Sequence, residues 1–127
     1  WRDMWSLAAS SCGRAVEMLL GTFRFGACFG PIFYGYGEVE VVDRLGWWEV
    51  RFLFAIGHLH RRGKTVPTGE MARGAAAGVP SVKNVLMFDT PAWPEFVYSG
   101  GYGTPYECVP TAAEESAMII YTSGTTA

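Results

Sequence analysis

Short apolar runs alternate with stretches of helical period along this chain, and that alternation is the tightest constraint on its fold. Residues 27–33, 50–56 and 84–88 are runs of strand length rich in Phe, Val, Leu and Ile. Ahead of the first run, Val16, Leu19, Leu20 and Phe23 recur at i, i+3, i+4 and i+7, which lines one face of a helix predicted over residues 6–25. Val39, Val42 and Leu45 make a second stripe, over residues 38–45. Thr68 is placed to cap a third helix through residues 69–77, its hydroxyl accepting from the first free N–H groups, with Gly78 as its stop. Strands separated by helices of this length pair in parallel through right-handed crossovers, so the expected class is α/β with mostly parallel strands.

The remaining segments read as punctuation. Gly26 breaks the first helix, residues 35–37 form a turn, and after Gly57 the stretch "HLHRRGKTVP" reads as a charged loop closed by Pro67. Residues 89–110, rich in Pro, Gly and aromatics, read as a long irregular connection. Residues 118–121 read as a short buried strand, so the hydroxyl-rich "TSGTT" that follows is expected to be held in a fixed place. Neither a repeat nor a second domain is visible.

Composition excludes several classes. With 127 residues, half of them apolar and 17% charged, the chain can bury a core and is too apolar for disorder. A net charge of −2 with mixed signs offers no basic face for nucleic acid. Three widely spaced cysteines suit neither a disulfide scaffold nor a CxxC metal site, and point to a reducing, cytoplasmic setting. The longest uncharged apolar stretch near the N-terminus, residues 25–37, is broken by glycine and proline and falls short of the roughly 18 residues a membrane span needs. Trp1 opens no signal pattern, and both ends read as cut.

Local motifs carry less than they first suggest. "GHLHRRGKT" approaches a P-loop, but five residues separate Gly57 from Gly63 where that motif has four, and a wrapped phosphate needs its N–H donors in a set curvature. His58 and His60 would share one side of an extended strand, yet no Cys, Asp or Glu lies near them in sequence to complete a metal site. Cys28 reads as an apolar filler, and Cys108 has no local histidine to make it a nucleophile. Trp47, Trp48, Phe52 and Phe54 sit among aliphatic neighbours and read as core or lid packing.

"IIYTSGTTA" resembles the phosphate-binding signature of the adenylate-forming enzymes, the acyl-CoA synthetases and their relatives, matching it in order from Tyr121 to Thr126. Hydroxyl donors and glycine backbone suit the wrapping of phosphates. Upstream, "GACFGPIFYGYGEVEVVDRL", "RRGKTVPTGEM" and "VPSVKNVLMF" are similar to stretches of acetyl-CoA synthetases, in the same order and at similar separations. The resemblance implies the N-terminal part of a large adenylate-forming domain, residues 1–127, cut within its ATP loop. It implies ATP, Mg2+, coenzyme A and a small-molecule carboxylate as substrates and cofactors of the intact enzyme, joined in two steps through an acyl-adenylate.

By the same resemblance, Thr122, Ser123, Gly124, Thr125 and Thr126 bind the ATP phosphates, and Arg61 and Lys64 bind the phosphorylated ribose of coenzyme A. No catalytic or metal-ligating residue is assigned within the chain, which is expected to be inactive by itself. Departures leave the acid open: Ala127 stands where the family has Gly, Gly46-Trp47-Trp48 replaces a polar stretch, and residues 89–110 make a short connection. The alternatives are a ligase for a larger acid and a small non-catalytic interaction domain with a chance match.

Overall fold

The structure is a computed structural model that describes residues 4–8, 13–33 and 35–121. In chain order its elements are β1 (Met4–Ala8), α1 (Gly13–Phe25), β2 (Cys28–Ile32), α2 (Glu38–Trp47), β3 (Phe52–Ala55), β4 (Leu59–Arg61), β5 (Lys64–Val66), α3 (Thr68–Ala77), β6 (Asn84–Met87) and α4 (Ala92–Ser99). Four strands form one sheet in the order β2-β1-β3-β6, and every neighbouring pair is parallel. The chain moves outward from β1 to β2, then crosses back to place β3 on the other side of β1. That reversal defines a doubly wound sheet, the α/β class expected from the alternation.

Period-2 alternation in the strands sends side chains to two separate cores. Leu53, Ala55 and Met87 face one layer, where they pack with Val41, Leu45, Ala72 and Ala75 of α2 and α3. Phe54, Phe29, Phe88 and Trp93 face the other, against Met18, Leu19 and Phe23 of α1. Leu53, Phe54 and Leu45 are essentially sealed from solvent, and each such burial contributes about 1.5–3 kcal/mol. Helices therefore cover both faces of the sheet. No described helix is long and apolar enough to cross a membrane.

Five local expectations are corrected. Residues 6–8 belong to β1 and α1 begins only at Gly13; a short apolar run flanking an amphipathic segment is not separable from it by periodicity. The charged loop at residues 58–67 is a hairpin, β4 paired antiparallel with β5. Its two turn residues, Arg62 and Gly63, have φ of 49° and 74°, as a type I′ turn requires, and an arginine there gives little sequence signal. Residues 89–110 contain α4, whose Pro94 falls in the first turn, where no intrahelical N–H bond is lost. Thr68 is the first residue of α3 rather than its cap, and its hydroxyl donates instead to the Ile56 carbonyl at 2.6 Å. Residues 118–121 are not a buried strand: a single parallel bridge joins Met118 to Phe29, and Met118 and Ile120 are 41% and 61% exposed.

Candidate functional site

The bridge at Met118 sets where the C-terminal segment goes. The Phe29 N–H donates to the Ala117 carbonyl and the Ile119 N–H to the Phe29 carbonyl, both at 2.9 Å. Residues 117–119 thus run along the outer edge of β2, beside its first residues and in the same direction, toward the carboxyl end of the sheet. In open α/β sheets that end is where ligands bind.

Tyr121 is caught by the C-terminal turn of α2. Its ring stacks on Trp48 with centroids 4.8 Å apart and planes 18° from parallel, and Trp47 lies 6.1 Å away. Gly30 makes room for Trp48, since a Cβ on Gly30 would run into the indole. The Arg44 guanidinium sits 3.9 Å from the Tyr36 ring and 4.7 Å from the Tyr121 ring. Burial raises the Tyr121 pKa, and the charge of Asp43 adds to that against the opposing effect of Arg44. Trp48 accordingly packs as the sequence suggested, whereas Trp47 is 64% exposed. Thr122, Ser123, Gly124, Thr125 and Thr126 lie outside the described residues; their covalent root is Tyr121.

A second group leaves from the carboxyl end of β3. Arg61 and Lys64 are register partners across the β4–β5 hairpin, so both project on one face of it, and both are exposed. His60 and Thr65 are the neighbouring pair, with Nδ1 and Oγ1 3.0 Å apart. The root of the hairpin is held by Asp89, which follows β6. Its carboxylate accepts the N–H of Gly57 at 2.6 Å and that of His58 at 3.0 Å, and the His58 ring lies 3.7 Å away. Burial pushes the Asp89 pKa up, but the backbone N–H bonds and His58 outweigh it and leave the carboxyl below its ordinary value.

Sequence reasoning found no acidic neighbour for His58 because Asp89 is distant along the chain and adjacent only through the β3–β6 pairing. Among the described residues no three His, Cys, Asp or Glu side chains cluster as metal ligands. Cys28 is buried as expected, and Cys108 is exposed; neither is in a disulfide. Between the two groups, Ile32, Phe33, Tyr36, Val41, Thr68, Met71 and Ala72 line a shallow apolar cleft. The edge segment and β3 are three strand spacings apart, about 14 Å.

A four-stranded parallel sheet with its strand order reversed about β1, and a basic hairpin leaving the carboxyl end of β3, defines an α/β domain of the doubly wound kind. Residues 3–127 match the sequence model of the AMP-binding enzyme family, and the chain belongs to that family. It is 28% identical over 123 residues to acetyl-coenzyme A synthetase 1 of Candida albicans, covering 88% of this chain and 18% of that protein. It is 30% identical over 126 residues to acetyl-coenzyme A synthetase 2 of Kluyveromyces lactis, with the same coverages of 88% and 18%. The fold is also similar to that of acetoacetyl-CoA synthetase from Streptomyces lividans, with a TM-score of 0.71 at 23% identity over 86% of this chain and 18% of that one. The chain thus spans under a fifth of the length of these relatives. A family match over nearly every residue removes the reading of a small unrelated domain with a chance motif.

Proposed function

We propose that residues 1–127 form part of the adenylate-forming domain of an ATP-dependent acyl-CoA synthetase acting on acetate or another carboxylic acid. In the first half-reaction a carboxylate oxygen attacks the α-phosphorus of ATP, the bond to the bridging oxygen breaks, and acyl-adenylate and pyrophosphate result. In the second, the thiol sulfur of coenzyme A attacks the acyl carbon, AMP leaves, and the thiol proton passes to solvent. On this reading the hydroxyls and backbone N–H groups of Thr122, Ser123, Gly124, Thr125 and Thr126 hold the phosphates. They would offset the charge that develops during the first step.

The observation that carries the reading is that residues 117–119 run parallel to the edge strand of an open α/β sheet, directly ahead of the Tyr121–Thr126 motif, in a member of the AMP-binding family. Magnesium would accompany the ATP phosphates, and the described residues offer it no ligand cage of their own. Arg61 and Lys64, side by side on an exposed hairpin, suit the phosphate of coenzyme A: an arginine fork and a lysine point charge. Cys28 and Cys108 as reduced thiols suit a cytosolic setting.

The test is acid-dependent ATP–pyrophosphate exchange in the full-length parent, with Thr125→Val and Thr126→Val each keeping the branched shape but removing a donor. Loss of a hydrogen bond to a charged group costs about 1.5–3 kcal/mol, or roughly tenfold to a hundredfold in kcat/KM for ATP. Transfer from a preformed acyl-adenylate to coenzyme A should persist. Exchange at the parental rate in both variants rules out the phosphate loop.

A further inference from the structure

We propose that Arg44 is a positioning residue for the hydroxyl-rich segment beginning at Thr122, acting through the ring of Tyr121; the inference rests on the nucleotide reading above. Arg44 is only 4% exposed, on the face of α2 that otherwise presents Val41 and Leu45 to the core. A buried guanidinium is costly unless its charge is compensated. One nitrogen, Nη1, donates to the Glu40 carbonyl at 2.8 Å. The rest of the compensation comes from two π faces, Tyr36 at 3.9 Å and Tyr121 at 4.7 Å.

The Nε of Arg44 is buried with no hydrogen-bond partner. A leucine at this position would fill the core without that penalty. Buried donors left unpaired in this way persist where the placement of the group matters more than stability. What Arg44 places is Tyr121, the last residue before the segment assigned to the phosphates. Tyr121 has few other restraints: its stack on Trp48, the contact with Trp47, and the single bridge to β2 three residues earlier. Without the guanidinium, only the two tryptophan contacts and the bridge to β2 restrain Tyr121. Tyr121 is then held less firmly, and the cost of placing it falls on ATP binding.

The test uses the full-length parent and reads KM for ATP in acid-dependent ATP–pyrophosphate exchange, beside acyl transfer from preformed acyl-adenylate to coenzyme A. Arg44→Leu and Tyr121→Leu are each expected to raise KM for ATP about tenfold, in the range of a desolvated cation–π contact. The acyl-transfer half-reaction should stay within about twofold of the parent. The double variant should be no worse than either single one, because both remove the same contact. Tyr121→Phe keeps the ring and should recover most of the affinity. If Arg44→Leu does not fold, the Tyr121→Leu and Tyr121→Phe pair decides alone. Parental KM in Tyr121→Leu, additive losses in the double variant, or equal losses in both half-reactions overturn the positioning role while leaving the function standing. No exchange in the parent overturns the function and this inference together.

Discussion

The backbone N–H of Gly69 donates to the carbonyl of Gly57 at 2.8 Å, joining the first turn of α3 to the end of β3 across the root of the basic hairpin. A Cβ on Gly69 would lie 2.8 Å from the Cα of Gly57, so two backbones meet where no side chain fits. Gly69→Ala is therefore expected to cost about 1–3 kcal/mol through forced separation of the two elements. Gly46→Ala in α2, where nothing lies within 4 Å of the added carbon, should be neutral or stabilising by about 0.5 kcal/mol. Urea unfolding of the two variants checks the contrast, and equal midpoints would show that the contact does not bind α3 to β3.

Asp89 makes the same root sensitive to acid. Its folded pKa lies below the ordinary 3.8, so its contribution is present above that value and is lost as pH falls through the folded pKa. Asp89→Asn keeps one acceptor but turns an amide donor toward the second N–H. A partly exposed site of this kind should lose about 1 kcal/mol at neutral pH. The gap in stability between parent and variant should hold constant at neutral pH and close below 3.8. A gap that widens on acidification would sink the assignment.

The hairpin pair should separate the two half-reactions. In the full-length parent, Arg61→Ala with Lys64→Ala is expected to raise KM for coenzyme A by roughly tenfold or more while ATP–pyrophosphate exchange is nearly unchanged, since the charges would touch only the second substrate. Steady-state kinetics beside exchange measurements decide it. Equal losses in both would assign the pair elsewhere.

The 127-residue chain by itself is expected to release no pyrophosphate from ATP and acetate, because adenylation also needs adenine and carboxylate pockets held in register with the phosphates. Release above a heat-killed control refutes this.

The class of fold was legible because hydrophobic period is a local property. The runs around Phe29, Phe54 and Leu86 mark strands whatever surrounds them. The period at Val16, Leu19, Leu20 and Phe23 marked the helix but not its buried face, since Val16 and Leu20 are exposed while Met18, Leu19, Thr22 and Phe23 turn inward. The family was legible for a related reason: Tyr121 to Thr126, and the stretch around Arg61 to Pro67, are contiguous motifs whose chemistry is written in consecutive residues. Elements that are mostly polar, or too short to show a period, escaped. The β4–β5 hairpin turns on a positive φ at Arg62, and β1 is too short for its period to show.

Sequence alone therefore determined the α/β class, the family resemblance and the residue types available for phosphates. Only the tertiary structure decided which strand is central, that Asp89 clasps Gly57, and that Arg44 meets Tyr121 across most of the chain's length. The physical reason is separation along the chain. Periodicity and turn chemistry act over a few residues, whereas strand order and the pairing of distant side chains come from the competition of all apolar faces for the same two cores, which no local window contains.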